Sequence, residues 1–359
     1  MFKRRLHLKP PFLYNTDMAK TIKKDTLITV VGLIVTVCAF AGAVFAVTKM
    51  ISKPSGDESD VTTYSRPTKQ APQLYFDGKN YQFREDMEVI LIMGIDDRED
   101  LSNKNSAINN SQADVLYVFA VDHKNKTYQA IQLNRETMTG IQTYYSDGTK
   151  NQIAEAQICL AHSYGKNETG RCLNTVDAVS GLLFNVPVDH YISLNMSAIS
   201  VLNDQVGGVT VTVPAGIETA DPAFKEGAKV KLQGDQAEKF VRSRMSLAND
   251  TNEFRMERQQ IFLNAWKSQA YTKMEADSGF ALSLVLSLSE YMTSDMTANA
   301  LSDFANQLKE YKDLGTLKTI GETLEENQVE GRMFREYYVD SDDLQRKVIE
   351  LFYEDAPEG

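Results

Sequence analysis

Apolar positions along the chain fall into three kinds of pattern. Leu27 to Thr48 is an unbroken run of twenty-two residues without a charge, which as a helix would reach about 33 Å, close to the hydrocarbon thickness of a bilayer. Val89 to Met93 is a short apolar block closed by Gly94, as expected of a buried strand and its turn. Val115 to Val121 and Tyr128 to Leu133 read as two more strands, joined by the polar turn Asp122 to Thr127 in a hairpin. Helical spacing then predicts helices at Ile153 to Tyr164 and Leu173 to Phe184. A strand at Asp189 to Leu194, a helix near Ala198 to Asp204 and a strand at Val209 to Val213 follow, the last entered through Gly207-Gly208. Gln236 to Arg242 reads as helical, with an end predicted near Phe240, and so does Arg255 to Gln269. Helices are expected to dominate Ala281 to Leu314, before an edge strand at Tyr337 to Val339 and a final helix at Ser341 to Phe352. Strands alternating with helices in one series predict a single α/β domain with a mixed central β-sheet covered by helices, preceded by one N-terminal transmembrane helix.

Charge orients the apolar run. Residues 1–26 hold seven basic and two acidic groups, and positive charge stays on the cytoplasmic side. The expectation is a single-pass cell-membrane protein: a cytoplasmic tail at 1–26, an anchor at 27–48, an extracytoplasmic linker at 49–86 and a catalytic domain at 87–355. A cleaved signal peptide is the competing reading, with Ala41-Gly42-Ala43 resembling a cleavage site, but the run exceeds the usual apolar core of such peptides. The Ser-, Thr- and Pro-rich stretch Ser52 to Pro72 fits a linker. The whole chain carries a net charge of -11 and its first 48 residues are basic, so the remainder sits near -16. Such a surface argues against nucleic acid as a partner.

Two cysteines, Cys159 and Cys172, lie beyond the apolar run. In an oxidising compartment they are a disulfide candidate, and two buried thiols are the equal alternative. Neither has a metal-type spacing, and His7, His123, His162 and His190 form no zinc pattern.

Against this acidic background four arginines fall within seventeen residues: Arg242, Arg244, Arg255 and Arg258. Guanidinium groups pair with phosphate and carboxylate oxygens through a two-pronged geometry. A solvated helix face stitched by pairs such as Glu253 with Arg258 is the plainer reading of that stretch alone. Arg255 and Arg258 share a helix face, whereas Arg242 and Arg244 share one only where the chain is extended. Three other segments change the balance: Gly94-Ile95-Asp96-Asp97-Arg98 after the first predicted strand, Ser111-Gln112-Ala113-Asp114 before the second, and Asn134-Arg135-Glu136-Thr137 after the third. If the first strand runs antiparallel to the second, Asp96, Asp114 and Arg135 crowd one end of the sheet. Two carboxylates there suit a hydrated Mg²⁺ that also touches phosphate oxygens, and arginines take up the phosphate charge. Turn-capping is the plainer role for each aspartate taken singly.

The order Gly-x-Asp-x-Arg, Asp before a strand, Arg-Glu-Thr, Gly-Gly-Val-x-Val, Val-Arg-Ser-Arg and Arg-x-x-Arg-Gln, spread over Met87 to Phe352, resembles the LytR-CpsA-Psr family. That resemblance implies a membrane-anchored, outward-facing enzyme that transfers a glycopolymer from a polyprenyl-pyrophosphate carrier to peptidoglycan. It also implies a central sheet with helices on both faces and a long apolar pocket for the lipid tail. Asp96 and Asp114 resemble the family's metal-associated acids. Arg98, Arg135, Arg242, Arg244 and Arg255, with Gln259, resemble its pyrophosphate contacts. Asp96, Asp114 and Arg135 are the expected catalytic set and Arg258 is expected on ordinary helix surface. The chain departs from the family pattern at Gln112-Ala113-Asp114, at Asn134-Arg135-Glu136 and at Asn252-Glu253-Phe254, which leaves the acidic partner between Asp250 and Glu253. Three function classes follow: a Mg²⁺-dependent phosphotransferase, a hydrolase of the same carrier, and a receptor for lipid-linked sugar.

Overall fold

A computed structural model describes residues 71–96, 107–243, 252–277 and 280–357, the last stretch with gaps at 298–299, 302–303, 305–306, 309 and 330–331. The expected cytoplasmic tail, membrane anchor and most of the linker lie outside the described residues.

The chain enters the fold earlier than the apolar pattern suggests. Strands β1 (Leu74–Phe76) and β2 (Lys79–Phe83) form an antiparallel pair, and β2 also pairs with a C-terminal strand at Tyr353–Asp355. The folded unit therefore reaches back at least to Leu74 rather than starting at Met87. The sequence signal is weak because β2 buries no residue fully. Next come β3 (Met87–Asp96), β4 (Gln112–Asp122) and β5 (Thr127–Leu133). β3 and β4 are antiparallel with Ile90 opposite Phe119, and β4 and β5 form the expected hairpin.

β6 (Met138–Tyr144) and β7 (Lys150–Gln157) form a second hairpin. β7 replaces most of the helix predicted from Ile153, and only Ile158–Ser163 turns, as a 3₁₀ segment. The Ala, Glu and Gln of that stretch favour a helix weakly, and cross-strand pairing with β6 outweighs that preference. Ile153, counted as an apolar helix position, points into solvent. Helix α1 (Glu168–Leu182), β8 (His190–Asn195), α2 (Ala198–Gln205) and the pair β9 (Thr210–Thr212) and β10 (Lys229–Lys231) follow. α3 (Gln236–Arg242) runs two residues beyond the predicted end at Phe240. α4 spans Asn252–Ala276 and α5 Phe280–Leu288.

The stretch expected to be mainly helical also holds strands. β11 (Met292–Ser294) pairs antiparallel with β8, and β12 (Lys312–Lys318) lies parallel to β5. β13 (Gly321–Val329) and β14 (Arg332–Val339) form a long hairpin, so the strand predicted at Tyr337 is the end of a larger element. α6 (Ser341–Phe352) and β15 (Tyr353–Asp355) close the fold.

The central sheet is mixed and six-stranded, in the order β11-β8-β3-β4-β5-β12. β3 shows how the apolar block makes two cores at once, because successive side chains leave opposite faces of a strand. Ile90 and Ile92 join Phe119, Ile192, Phe240, Phe262, Trp266 and Leu284 on the face covered by α2 to α5. Val89, Leu91, Met93 and Ile95 join Val118, Leu133, Val176, Val348 and Phe352 on the face covered by α1 and α6.

Candidate active site

Strand order brings Asp96, Asp114 and Arg135 to one end of the sheet, where β3 ends, β4 begins and β5 has just finished. Between Gly94 and Ile95 the β3–β4 register slips: Gly94 faces Val115 and Ile95 faces Ala113. Asp114 is the extra residue of that bulge, a device that re-aims a side chain at a strand end. The bulge needs a glycine opposite. A Cβ on Gly94 would lie 3.0 Å from Val115 Cβ and 3.2 Å from Met196 Cε.

Asp114 is almost enclosed and faces two guanidinium groups. Its Oδ1 lies 3.1 Å from Arg135 Nε and its Oδ2 3.3 Å from Arg255 Nη1. Arg135 also donates to Gln112 Oε1 and, at 3.2 Å, to Cys159 Sγ. Burial alone would lower the Arg135 pKa, but Cys159 and Asp114 beside it hold it above its ordinary value. Burial pushes the Cys159 thiol up, against the pull of Arg135. Arg255 is fixed further by donating to Asn252 Oδ1 at 2.5 Å. Asn252 donates in turn to Asn134 Oδ1 at 2.7 Å. This amide relay ties α4 to the turn that carries Arg135.

Arg242 occupies the other side of the cleft. From the last turn of α3 it pairs with Asp96 and with Glu238 one turn earlier. It therefore reaches the cleft from within the helix, not from extended chain beyond Phe240. Arg258, expected on the surface, is buried. Its Nε donates to Phe240 O at 3.0 Å, and its guanidinium also reaches the carbonyls of Ser243 and Phe254. It caps the C-terminal carbonyls of α3 and so holds the helix end that presents Arg242. The three described arginines of this stretch thus face inward. α4 buries Asn252, Arg255, Arg258 and Gln259 in its first two turns and Phe262, Trp266 and Ala270 later.

Arg98, Arg244 and Asp250 lie outside the described residues. Among residues the motif reading passed over, Glu238 pairs with Arg242 at the cleft. Burial raises the Glu136 carboxyl above its ordinary value despite Arg135, Arg255 and Arg335 nearby. The spacing of Glu238 and Arg242, four apart on a predicted helix, was a usable signal. The Asn252–Asn134 relay left none. Cys159 and Cys172 are both free, buried thiols, which settles the disulfide alternative against a bridge.

The cleft lined by Asp96, Asp114, Arg242, Arg255 and Gln259 is open to solvent and has a volume of about 530 Å³. A small apolar pocket of about 60 Å³ adjoins it, walled by Ile92, Leu194, Ile199, Leu202 and Phe262. Met196, Val241 and Gln259 line both. Gln259 Oε1 is buried there without a hydrogen-bond partner. The arrangement sets arginines and carboxylates along an open cleft beside a small apolar pocket.

Comparison with known proteins places the chain in a family. The model of the LytR_cpsA_psr family matches residues 49–349. The chain belongs to that family. Among curated LytR-CpsA-Psr relatives, the polyisoprenyl-teichoic acid–peptidoglycan teichoic acid transferase TagU of Halalkalibacterium halodurans is 31% identical over 155 residues, 43% of this chain and 44% of that protein. TagU of Bacillus subtilis is 30% identical over the same length, 43% of each protein. The chain thus spans less than half the length of the first curated relatives it matches. Solved structures share the fold. TagT bound to LI-WTA superposes with a TM-score of 0.54 at 19% identity over 74% of this chain and 90% of that one. TagV of B. subtilis gives 0.54 at 20% identity over 74% and 97%.

Proposed function

We propose that this protein is a Mg²⁺-dependent phosphotransferase that moves a glycopolymer from a polyprenyl-pyrophosphate carrier to peptidoglycan. The observation that carries the proposal is the junction at Met196, Val241 and Gln259, which line both an arginine- and carboxylate-lined cleft and the small apolar pocket beside it. A pyrophosphate bearing a long hydrocarbon needs both halves side by side. Membership of the family and the teichoic acid transferase activity named for the TagU relatives support the same substrate class.

In this reading Arg135 and Arg255 bind the pyrophosphate oxygens, with Asp114 holding both guanidinium groups in place until the anion arrives. Arg242 and the Gln259 amide complete the phosphate contacts, and Arg98 and Arg244 join them. The donor set fits Mg²⁺: Asp96 and Asp114 are hard oxygen donors on a solvent-open cleft, as this ion requires. Bound there, the ion neutralises charge on the phosphoryl oxygens. A sugar hydroxyl of peptidoglycan attacks the phosphorus nearest the glycan. The bond between that phosphorus and the bridging oxygen breaks, and polyprenyl monophosphate leaves. The hydroxyl proton passes to a carboxylate of the cleft. Asp96, 31% exposed against 10% for Asp114, is the more accessible of the two. The protein works from the outer face of the cell membrane, held by its N-terminal segment.

Replacing Asp114 or Arg135 with Ala is expected to abolish wall-attached polymer while the thermal unfolding midpoint shows the fold retained. Attachment preserved in both variants overturns the proposal. Polyprenyl phosphate release without polymer transfer would identify a hydrolase instead. Fractionation of cells producing the full chain and one lacking residues 1–48 tests the anchor, with loss of membrane association expected for the second.

A further inference from the structure

His162, Glu168 and Cys172 meet on the face of the sheet opposite the apolar pocket. Their sequence spacing carries no metal pattern, because the residues come from two elements joined by a tight reversal. His162 belongs to the 3₁₀ segment after β7. Glu168 and Cys172 lie four apart in the first turns of α1 and share one helix face. Gly165 makes the reversal feasible, since a Cβ there would sit 2.5 Å from Arg171 N. Asn167 caps α1 by accepting from Gly170 N at 2.8 Å, and Asn174 ties the helix back to Ala161 O at 2.7 Å.

The three ligand atoms lie within 4.8 Å of one another. His162 Nε2 is 3.2 Å from Glu168 Oε1 and 3.8 Å from Cys172 Sγ. In a tetrahedral zinc site with ordinary bond lengths, a nitrogen and an oxygen ligand sit roughly 3.3 Å apart and a nitrogen and a sulfur about 3.6 Å. A second observation is independent of those spacings. The other ring nitrogen, Nδ1, lies 3.1 Å from Ser111 Oγ, an outer partner of the kind that orients a metal-binding imidazole. Ser111 is itself clamped, its Oγ donating to Asn109 Oδ1 at 2.7 Å and its carbonyl accepting from Ser163 Oγ at 2.8 Å. His162 and Cys172 are fully buried, while Glu168 remains partly open to solvent and leaves room for water as a fourth ligand.

We propose that His162, Glu168 and Cys172 form a second metal site, selective for zinc or a similar borderline-soft divalent ion and separate from the Asp96–Asp114 cleft. Imidazole, thiolate and one carboxylate suit such an ion and not Mg²⁺. Binding displaces the thiol proton to solvent and forms a metal–sulfur bond. Its consequence is structural reach: Ser111 immediately precedes the strand that carries Gln112 and Asp114, so an occupied site steadies one wall of the cleft.

The test is titration of the purified full chain, stripped with a chelator, with Co²⁺ as a spectroscopic stand-in for Zn²⁺. With excess Mg²⁺ present to fill the Asp96–Asp114 cleft, one Co²⁺ per chain is expected, with a thiolate-to-cobalt charge-transfer band and intense tetrahedral d–d bands that Zn²⁺ bleaches. Cys172→Ser is expected to lose the charge-transfer band. Glu168→Gln, at a half-open position that tolerates change, is expected to weaken binding while keeping the band. Ser111→Ala is expected to weaken it roughly 10- to 100-fold, and Asp96→Asn to leave it unchanged. Zn²⁺ should also raise the unfolding midpoint of the wild type and not that of Cys172→Ser. Absence of a charge-transfer band in the wild type, or its persistence in a folded Cys172→Ser variant, overturns the proposal. Should Cys172→Ser fail to fold, Glu168→Gln decides alone, and unaltered affinity there overturns it.

Discussion

Two buried charge clusters, both anchored on α4, solve the same electrostatic problem differently. Lys267 and Asp313 form a closed pair, 3.0 Å apart and 3% and 5% exposed. Burial lowers the Lys267 pKa even with Asp313 beside it, and each charge depends on the other. Three turns earlier on the same helix, Arg255 shares Asp114 with Arg135 at the wall of a solvent-open cleft, so two guanidinium groups face one carboxylate. Across that cleft the ratio inverts, with Arg242 set between Asp96 and Glu238. The closed pair faces no open cleft among the described residues, and Asp313 Oδ1 also accepts from Gly315 N at 2.7 Å. A cluster rich in cations at one end and in carboxylates at the other leaves charge facing an open cleft, as the proposed pyrophosphate and Mg²⁺ roles require, and the Asn252–Asn134 relay and the Arg258 clamp hold it in place.

This contrast predicts opposite signatures for mutations on one helix. The largest change in stability is expected from Lys267→Met, which strands the Asp313 charge and should cost about 3–5 kcal/mol in urea unfolding. Turnover per folded molecule should stay intact. Adding Asp313→Leu should recover much of the loss, and a double variant no better than the single would show that the pair is not closed. Next comes Arg135→Lys, which keeps the charge but gives up the guanidinium fork. It should lower kcat by roughly 10²- to 10³-fold, the loss typical of one transition-state donor, with little movement of the unfolding midpoint. A large fall in the midpoint would place Arg135 with Lys267 as structural. Gly94→Ala sharpens the boundary between the two, because its added methyl presses on Val115 at the Asp114 bulge. It should cost about 1–3 kcal/mol and reduce activity beyond that loss, measured on folded protein.

The smallest effect lies away from both clusters. The Asp295 carboxylate, 3.4 Å from His190 Nδ1, raises the His190 pKa, outweighing partial burial, and Glu88 and Asp189 add to the effect. A group whose pKa rises on folding stabilises the fold fully below its unfolded value of about 6.5, and the contribution fades as pH climbs through the folded value. Asp295→Asn should therefore lower the unfolding midpoint at about pH 6 and leave it nearly unchanged at about pH 8.5, a difference worth under about 1 kcal/mol at this half-exposed position. An equal loss at both pH values would assign the effect to packing.

How legible each part was depended on how local its cause is. The three central strands and α6 were readable because period-two and period-3.6 burial leave their mark in adjacent residues. The β7 strand was not, since Ile153 is exposed and the pairing that makes a strand of it comes from β6. Arg258 was misjudged for a related reason: its partners are backbone carbonyls of α3, which no side-chain pattern announces. The start of α4 was missed because its buried face is polar there, Asn252 and Arg255 taking the place of apolar residues.

The sequence by itself determined the alternation that builds a two-faced sheet, the order of the charged motifs, and, through a hairpin next to an antiparallel strand, that Asp96, Asp114 and Arg135 share one end. Those are consequences of chain connectivity and short-range periodicity. Only the tertiary structure decided which arginine faces which carboxylate, that an apolar pocket backs the cleft, and that His162, Glu168 and Cys172 converge. Each of these depends on side chains from separate elements meeting in space. Distance along the chain carries no information about such meetings until packing of the two cores has fixed where each helix lies.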